Sequence, residues 1–259
     1  MILSIKKAVN IIDTIADNGS ISLRELSRQV GMPKSTVCKI AQTLEACGYL
    51  HQDPSSGEYL VSYRLFRVGY EVLEKTGVRE CAFPILKKLA RETQETVSLT
   101  VMDDNKMLVV EKLESSQYNT GFKVGARAPL HCTSSGKAML ASFSTKQLEE
   151  ILSEITPLEA FGENTVTDVD LLLKELKQVK EQGYVLCKST INPGITSIAS
   201  FIDGYPGRKA AAISMAGPSI SSEPENSAKL IKMVLTASQE ISENFKRMIR
   251  YSSDRRSSI

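Results

Sequence analysis

Apolar residues recur along this chain at two periods. The spacing is three and four up to about residue 94, apart from one short hairpin, and from Thr96 alternating stretches take over. Residues 4–17 predict a helix with Ile5, Ala8, Val9, Ile12 and Ile15 on one face, stopped by Asn18-Gly19. Ile2, Leu3 and Ile11 are left to pair with another copy. Leu23, Leu26 and Val30 make the apolar face of a second helix. Ser22 precedes it as an N-cap, with Glu25 three residues on as a capping box wants. Gly31 ends it, because a left-handed residue costs glycine nothing. Met32-Pro33 turns the corner, and Pro33 fits the first turn of a third helix. That helix turns Val37, Ile40, Ala41 and Leu44 inward and leaves Lys34, Ser35, Thr36, Lys39, Gln42 and Thr43 outside. After Gly48-Tyr49-Leu50 the stretch HQDPSSGEYLVS reads as a hairpin whose turn is Asp53-Pro54-Ser55-Ser56-Gly57. A helix pair alone is commonplace. With a beta wing behind it, the pattern is a winged helix-turn-helix, whose polar outer face suits the major groove.

Residues 63–75 predict a linker helix ended by Thr76-Gly77. A helix over 80–94 follows, with Phe83, Leu86, Leu89 and Ala90 buried and Pro84 in its first turn. Strands are predicted over 96–102 and 106–113, joined at Asp103-Asp104-Asn105, and a weaker one over 117–124. Helices over 134–142, 145–152 and 169–182 come next, the last capped by Thr167-Asp168 and ended by Gly183. Three more strands, 184–189, 196–202 and 209–215, bracket a turn at 203–207. A long helix over 223–250 precedes YSSDRRSSI, read as a disordered tail. The class is α+β, with an antiparallel sheet and flanking helices in the larger part.

Composition narrows this further. A chain of 259 residues with 42% hydrophobic and 24% charged residues can hold two modest domains. The net charge is only +2, and residues 1–76 carry nine Lys/Arg against eight Asp/Glu, a net of +1. DNA affinity must therefore come from where charges sit and from two copies of the domain. No apolar run approaches the roughly 18 to 20 residues that span a bilayer, and the N-terminus lacks a signal-peptide core. The five cysteines (Cys38, Cys47, Cys81, Cys132, Cys187) are scattered without a CxxC pair, as expected of reduced thiols in a cytoplasm. With only His51 and His131 as histidines, no metal or other cofactor is expected.

Several motifs recur together in order: Pro33-Lys34-Ser35-Thr36, Leu44-Glu45 with Gly48-Tyr49-Leu50, Pro129-Leu130-His131, Ser135-Gly136-Lys137-Ala138, Gly183-Tyr184, Pro193-Gly194, Ile213-Ser214 and Gly217-Pro218. In these the chain resembles, over nearly its whole length, the IclR family of bacterial transcription regulators. The resemblance implies a winged helix-turn-helix at 1–62, a linker helix at 63–77, a GAF-like effector domain at 78–250 and a tail at 251–259. It implies dimers through the N-terminal domains and tetramers through the C-terminal ones. Lys34, Ser35, Thr36, Lys39 and Thr43 are the DNA-contact candidates. Lys39 stands where the family usually has arginine, so the operator does not carry over, because lysine is a point charge rather than a two-pronged donor. The effector candidates are Ala128, Leu130, Ser134, Ser135, Cys187, Ile195, Ser197 and Ser214. Backbone amides at the Ser134 helix start suit a carboxylate. After Gly-Tyr the family often has acidic residues, whereas this chain has Leu186-Cys187-Lys188-Ser189-Thr190, so a less acidic, more cationic pocket is expected.

Enzyme readings fare worse. His131-Cys132 lacks a third group for thiol catalysis. Ser135-Gly136-Lys137-Ala138 fails as a phosphate loop, since His131 replaces the first glycine and Ala138 the magnesium-binding hydroxyl. The expectation is a cytoplasmic, non-enzymatic regulator, a repressor of a catabolic operon. It reads a near-palindromic double-stranded operator as a homodimer or homotetramer, without a membrane, and senses a small organic acid. The alternatives are a stand-alone ligand-binding module and, further off, a small-molecule hydrolase.

Overall fold

Cap chemistry sets the helix ends in the N-terminal part. In the computed structural model, α1 (Leu3–Asn18) stops at Gly19, whose φ is +77°. α2 (Leu23–Gln29) opens at Ser22, whose Oγ accepts the Glu25 amide at 3.3 Å. The capping box is half formed, because Arg28 and Gln29 hold the Glu25 carboxylate. Gly31 takes φ +63° beyond the helix end, and α3 (Lys34–Ala46) begins just after Pro33, which serves as its cap residue. The structure describes residues 2–118, 120–191, 193–204, 210–221 and 223–256. They fall into two units, 1–75 and 76–259.

In the first unit Ile11, Ile15, Leu26, Val37 and Ala41 are fully buried and pack with Leu50 and Tyr59. This corrects part of the expected inner face of α1: Ile15 is buried as expected and Ile12 packs beside it, but Ile5 and Val9 stay exposed and Ile11 turns inward instead. The helix is apolar on two sides, and α2 and α3 cover only one. The wing is a three-stranded antiparallel sheet in the order β1 (Ser20–Ile21), β3 (Tyr59–Val61), β2 (Leu50–Gln52). Asp53 makes its turn by accepting the Ser55 hydroxyl and the amides of Ser55 and Ser56, bonds that hold its carboxyl below the usual range. α4 (Tyr63–Thr76) has no buried residue.

The second unit is one six-stranded antiparallel sheet between two helix layers. α5 (Val78–Thr93) starts after left-handed Gly77, so Pro84 lies inside the helix and not in its first turn. The sheet order is β6 (Arg127–Pro129), β5 (Lys106–Leu113), β4 (Thr96–Asp103), β9 (Ala211–Gly217), β8 (Thr196–Ile202), β7 (Val185–Lys188). Asp104 and Asn105 at φ +47° and +57° close the β4–β5 hairpin, the two left-handed residues of a primed turn. The strand expected over 117–124 is absent among the described residues (Asn119 lies outside them). Gly121 and Gly125 at φ +86° and +87° break the extended run, and β6 takes the edge of β5 through Lys106–Pro129 and Leu108–Arg127.

Strand alternation gives the sheet two different faces. Val97, Leu99, Ile198, Ile213 and Met215 are buried on one, covered by α5 and α9 (Pro224–Arg256). Met107, Val109, Ala199 and Ala212 lie on the other, packed with α6 (Ser134–Ala141) and α8 (Val169–Gln182). α7 (Thr145–Ile155) contributes Ile151 and Leu152 to the same core. Asp168 caps α8 by accepting the Leu171 amide, and Gly183 closes it at φ +83°. Residues 205–207 of the expected turn, and Lys209, lie outside the described residues. The tail is a correction: helix continues through residues 251–256, with 257–259 outside the described residues. That stretch holds neither Gly nor Pro, and arginines suit a helix C-terminus.

Leu26→Ala is expected to remove about 2–5 kcal/mol of stability from the first unit. A lowered urea midpoint of its helical signal checks this, and an unchanged midpoint contradicts the core assignment.

A polar helix face and a hydroxyl-lined cavity

α3 is held from behind and left bare in front. Val37 and Ala41 anchor it in the core, and the Glu45 carboxylate accepts the Gln52 amide at 3.0 Å, tying the helix to the wing. Of the five DNA-contact candidates, Lys34, Ser35, Lys39 and Thr43 are exposed and Thr36 is half-buried. The Thr43 hydroxyl donates to the Lys39 carbonyl at 2.8 Å. No described acidic residue pairs with Lys34 or Lys39, whereas Arg28 of α2 is paired with Glu25. The face therefore offers two unpaired ammonium groups and short polar side chains, the inventory that meets phosphates and base edges.

The second unit holds a partly open cavity of about 80 Å³. Its floor is the hydroxyl end of the sheet face that α6 covers: Ser98 and Thr100 of β4, Ser214 and Ala216 of β9, and Ser197 of β8. Register sets these side by side, Ser98 opposite Ser214 and Ser197 opposite Ala216. Met107, Val109 and Phe122 make an apolar side, and the loop before β8 adds Thr190, Ile191 and Ile195. The start of α6 supplies Thr133, Ser134 and Ser135. Thr133 Oγ1 accepts the Gly136 amide at 2.9 Å, while the amides of Ser134 and Ser135 meet no acceptor among the described residues. The hydroxyls of Ser98, Ser134, Ser135, Ser197 and Ser214 have no partner among the described residues either. Ser134, Ser135 and Ser214 are at most 9% exposed. A cluster of hydroxyls that opens onto a cavity with its hydrogen-bonding capacity unused by the described residues is complementary to a polar guest.

Five of the eight effector candidates line this cavity: Ser134, Ser135, Ile195, Ser197 and Ser214. Ala128, Leu130 and Cys187 do not; they belong to the core beneath α6 and α8. Cys187 is the register partner of Ser197, and Ala128 pairs with Met107, so each lies one step beyond the cavity wall. The cationic pocket expected from Lys188 is also corrected. Lys188 is exposed, and no charged side chain lines the cavity among the described residues. Ser98, Thr100 and Thr190, and Thr120 which also lines the cavity, carry no signal in the sequence, being single hydroxyls in strands and loops.

The neighbouring motif residues have structural work. Lys137 Nζ is buried and pairs with Glu175 of α8 at 2.5 Å. A Cβ on Gly136 would meet the Leu130 carbonyl at 2.2 Å, so only glycine lets α6 sit against that turn. His131 Nε2 lies 2.9 Å from the Glu159 carbonyl. Burial pushes the Cys132 thiol up to about 12, and burial also raises Cys187. Neither is a nucleophile at neutral pH. No three His, Cys, Asp or Glu among the described residues could hold a metal.

The chain matches two family models: the bacterial transcriptional regulator IclR C-terminal domain over residues 70–243 and the IclR helix-turn-helix domain over 4–54. It is 31% identical over 242 residues to the HTH-type transcriptional regulator BhcR of Paracoccus denitrificans, covering 93% of this chain and 86% of that one. It is 32% identical over 202 residues to the HTH-type transcriptional repressor AllR of Escherichia coli, covering 78% and 74%. Its fold superposes with a TM-score of 0.83 on an IclR homolog of Microbacterium hydrocarbonoxydans complexed with 4-hydroxybenzoate, at 24% identity and 94% and 99% coverage.

Alkylation of the native protein at pH 8 is expected to modify exposed Cys47 and to spare Cys132 and Cys187 until denaturant is added. Peptide mass mapping reads this, and early labelling of Cys132 would contradict the buried, protonated thiol.

Proposed function

The chain belongs to the IclR family of bacterial transcriptional regulators, DNA-binding proteins that respond to small molecules, and within it we propose a repressor whose effector is a small monocarboxylate held in the serine-lined cavity. The observation that carries this is the set of five serine hydroxyls, without a partner among the described residues, beside the two open amides of α6. Amides at a helix N-terminus favour an anion, and hydroxyls donate to it without adding charge. The lack of a lining cation favours one negative charge over two, since a dianion would enter uncompensated. The fold neighbour's 4-hydroxybenzoate is also a monocarboxylate. The repressor sign follows the relative named as one.

On the DNA side, Lys34, Ser35, Thr36 and Lys39 contact the operator in this reading, with α3 in the major groove. The protein works as a dimer or tetramer in the cytoplasm, on a near-palindromic site. Support for self-association comes from apolar side chains that nothing in the first unit covers: Ile2, Leu3 and Ile5 of the α1 region and Phe66 and Val72 of α4 are 59–68% exposed. Exposed apolar side chains of this kind are what a contact between copies would cover. Two copies also supply the affinity that a domain of net +1 lacks alone.

Footprinting on the DNA upstream of the protein's own gene and neighbouring operon tests the DNA reading. A protected near-palindrome is expected, with log affinity falling linearly in log salt. Lys34→Ala with Lys39→Ala is expected to weaken it at least tenfold and to flatten the salt slope by about one for each phosphate no longer neutralised. Equal footprints would sink the assignment.

Calorimetry with acetate, pyruvate, lactate, 4-hydroxybenzoate and succinate tests the cavity. A monocarboxylate is expected to bind more tightly than the dicarboxylate and to change the footprint. Ser135→Ala and Ser214→Ala should each weaken it about 2- to 12-fold, the effect of one hydrogen bond. Binding unaltered in the double variant would place the ligand elsewhere.

A further inference from the structure

We propose that Gln42 is the principal base-reading residue of α3, recognising an adenine beside the base pair that Lys39 contacts. This rests on the placement of α3 in the major groove given above. At about 100° per residue, Ser35, Lys39, Gln42 and Ala46 fall within about 60° of one another around the helix. That line lies opposite Val37, Ala41 and Leu44, which face the core or its edge. Ser35, Lys39, Gln42 and Ala46 are all exposed. Thr43 lies toward one edge of the face, and its hydroxyl already donates to Lys39 O at 2.8 Å. Thr36, on the same edge, is half-buried. Glu45, on the other edge, accepts the Gln52 amide. The central line is thus the part of the helix free to approach a base edge.

The chemistry along that line is specific. Gln42 makes no hydrogen bond among the described residues, so its amide offers a donor and an acceptor together. In the major groove adenine presents the matching pair, the N6 amine and N7. Guanine presents two acceptors, O6 and N7, which suit the Lys39 ammonium. Serine discriminates less, since its hydroxyl can donate or accept. Three residues of helix rise about 4.5 Å, close to the 3.4 Å between stacked base pairs. Lys39 and Gln42 therefore address neighbouring base pairs, and each half-site carries a guanine with an adjacent A·T pair.

Selection from a randomised duplex library tests this with the full-length chain and its Gln42→Ala, Gln42→Glu and Lys39→Ala variants. Position 42 is exposed on a helix and alanine is the better helix former, so folding is not at stake. The wild-type consensus is expected to hold an A·T pair next to the position that Lys39→Ala relaxes. Gln42→Ala should relax that A·T pair alone and lower affinity for the wild-type site about 5- to 150-fold. Gln42→Glu should replace adenine there with cytosine, whose N4 amine donates to a carboxylate. A Gln42→Ala consensus identical to wild type overturns the proposal. So does relaxation at a pair other than A·T. Should the wild-type chain enrich no sequence at all, the placement of α3 on DNA falls and the proposal with it. A clear wild-type consensus left intact by both Gln42 variants overturns the proposal alone.

Discussion

The period-two alternation of one antiparallel sheet is the constraint on which the larger unit depends. The strands show one set of side chains to α5 and α9 and the other to α6, against which α8 packs. The first set is apolar in the middle strands: Val97, Leu99, Ile213, Met215 and Ile198 are all fully buried. The second set changes character along the strands. Met107, Val109 and Ala212 lie toward one end, and Ser98, Ser197 and Ser214, with Ala199 beside Ser214, take the other. Had those hydroxyls fallen out of register, each would be a separate buried polar group needing its own partner. Because β4, β9 and β8 are adjacent and in register, the unmet hydrogen-bonding capacity gathers in one place. A cavity there is the alternative to a destabilised core, since it leaves the hydroxyls open to a polar guest of the kind proposed above.

Features encoded within a few residues were legible in the sequence. Ser22 and Gly31 bracket α2, Asp168 and Gly183 bracket α8, and Asp104-Asn105 turns the hairpin, as each local signal implies. Features that depend on a distant partner were not. β1 has two residues and β6 three, and neither has a pattern of its own; each is a strand because β3 or β5 offers an edge. In α1 the period holds and the inward face holds only in part, since only the packing of α2 and α3 tells two apolar sides apart. The same applies to the cavity. Ser134 and Ser135 sit at a recognisable helix start, but Ser98 and Ser214 are more than a hundred residues apart and meet only through the register of β4 with β9. The motifs set Ala128, Leu130 and Cys187 one wall too deep, because a motif marks the neighbourhood of a site without saying where its lining ends.

The charge distribution connects the two units in function. The DNA-binding unit holds almost no excess charge, and the unpaired cations on its reading face are Lys34 and Lys39. On the proposed reading one such domain neutralises few phosphates, and few phosphate contacts mean low affinity for a half-site. Two domains joined in a dimer bind far more tightly than either alone, because the second engages at a high effective concentration once the first is bound. That gain vanishes when geometry forbids both from engaging together. An effector thus needs no contact with DNA and no change within α3. It needs only to bind one arrangement of the dimer better than the other, and the shift it can cause is limited to that difference in affinity. In the proposed site, a ligand held by neutral hydroxyls and two amides has a modest grip in total. On that proposal the arrangement it opposes is held only weakly, which suits a near-neutral domain working in two copies.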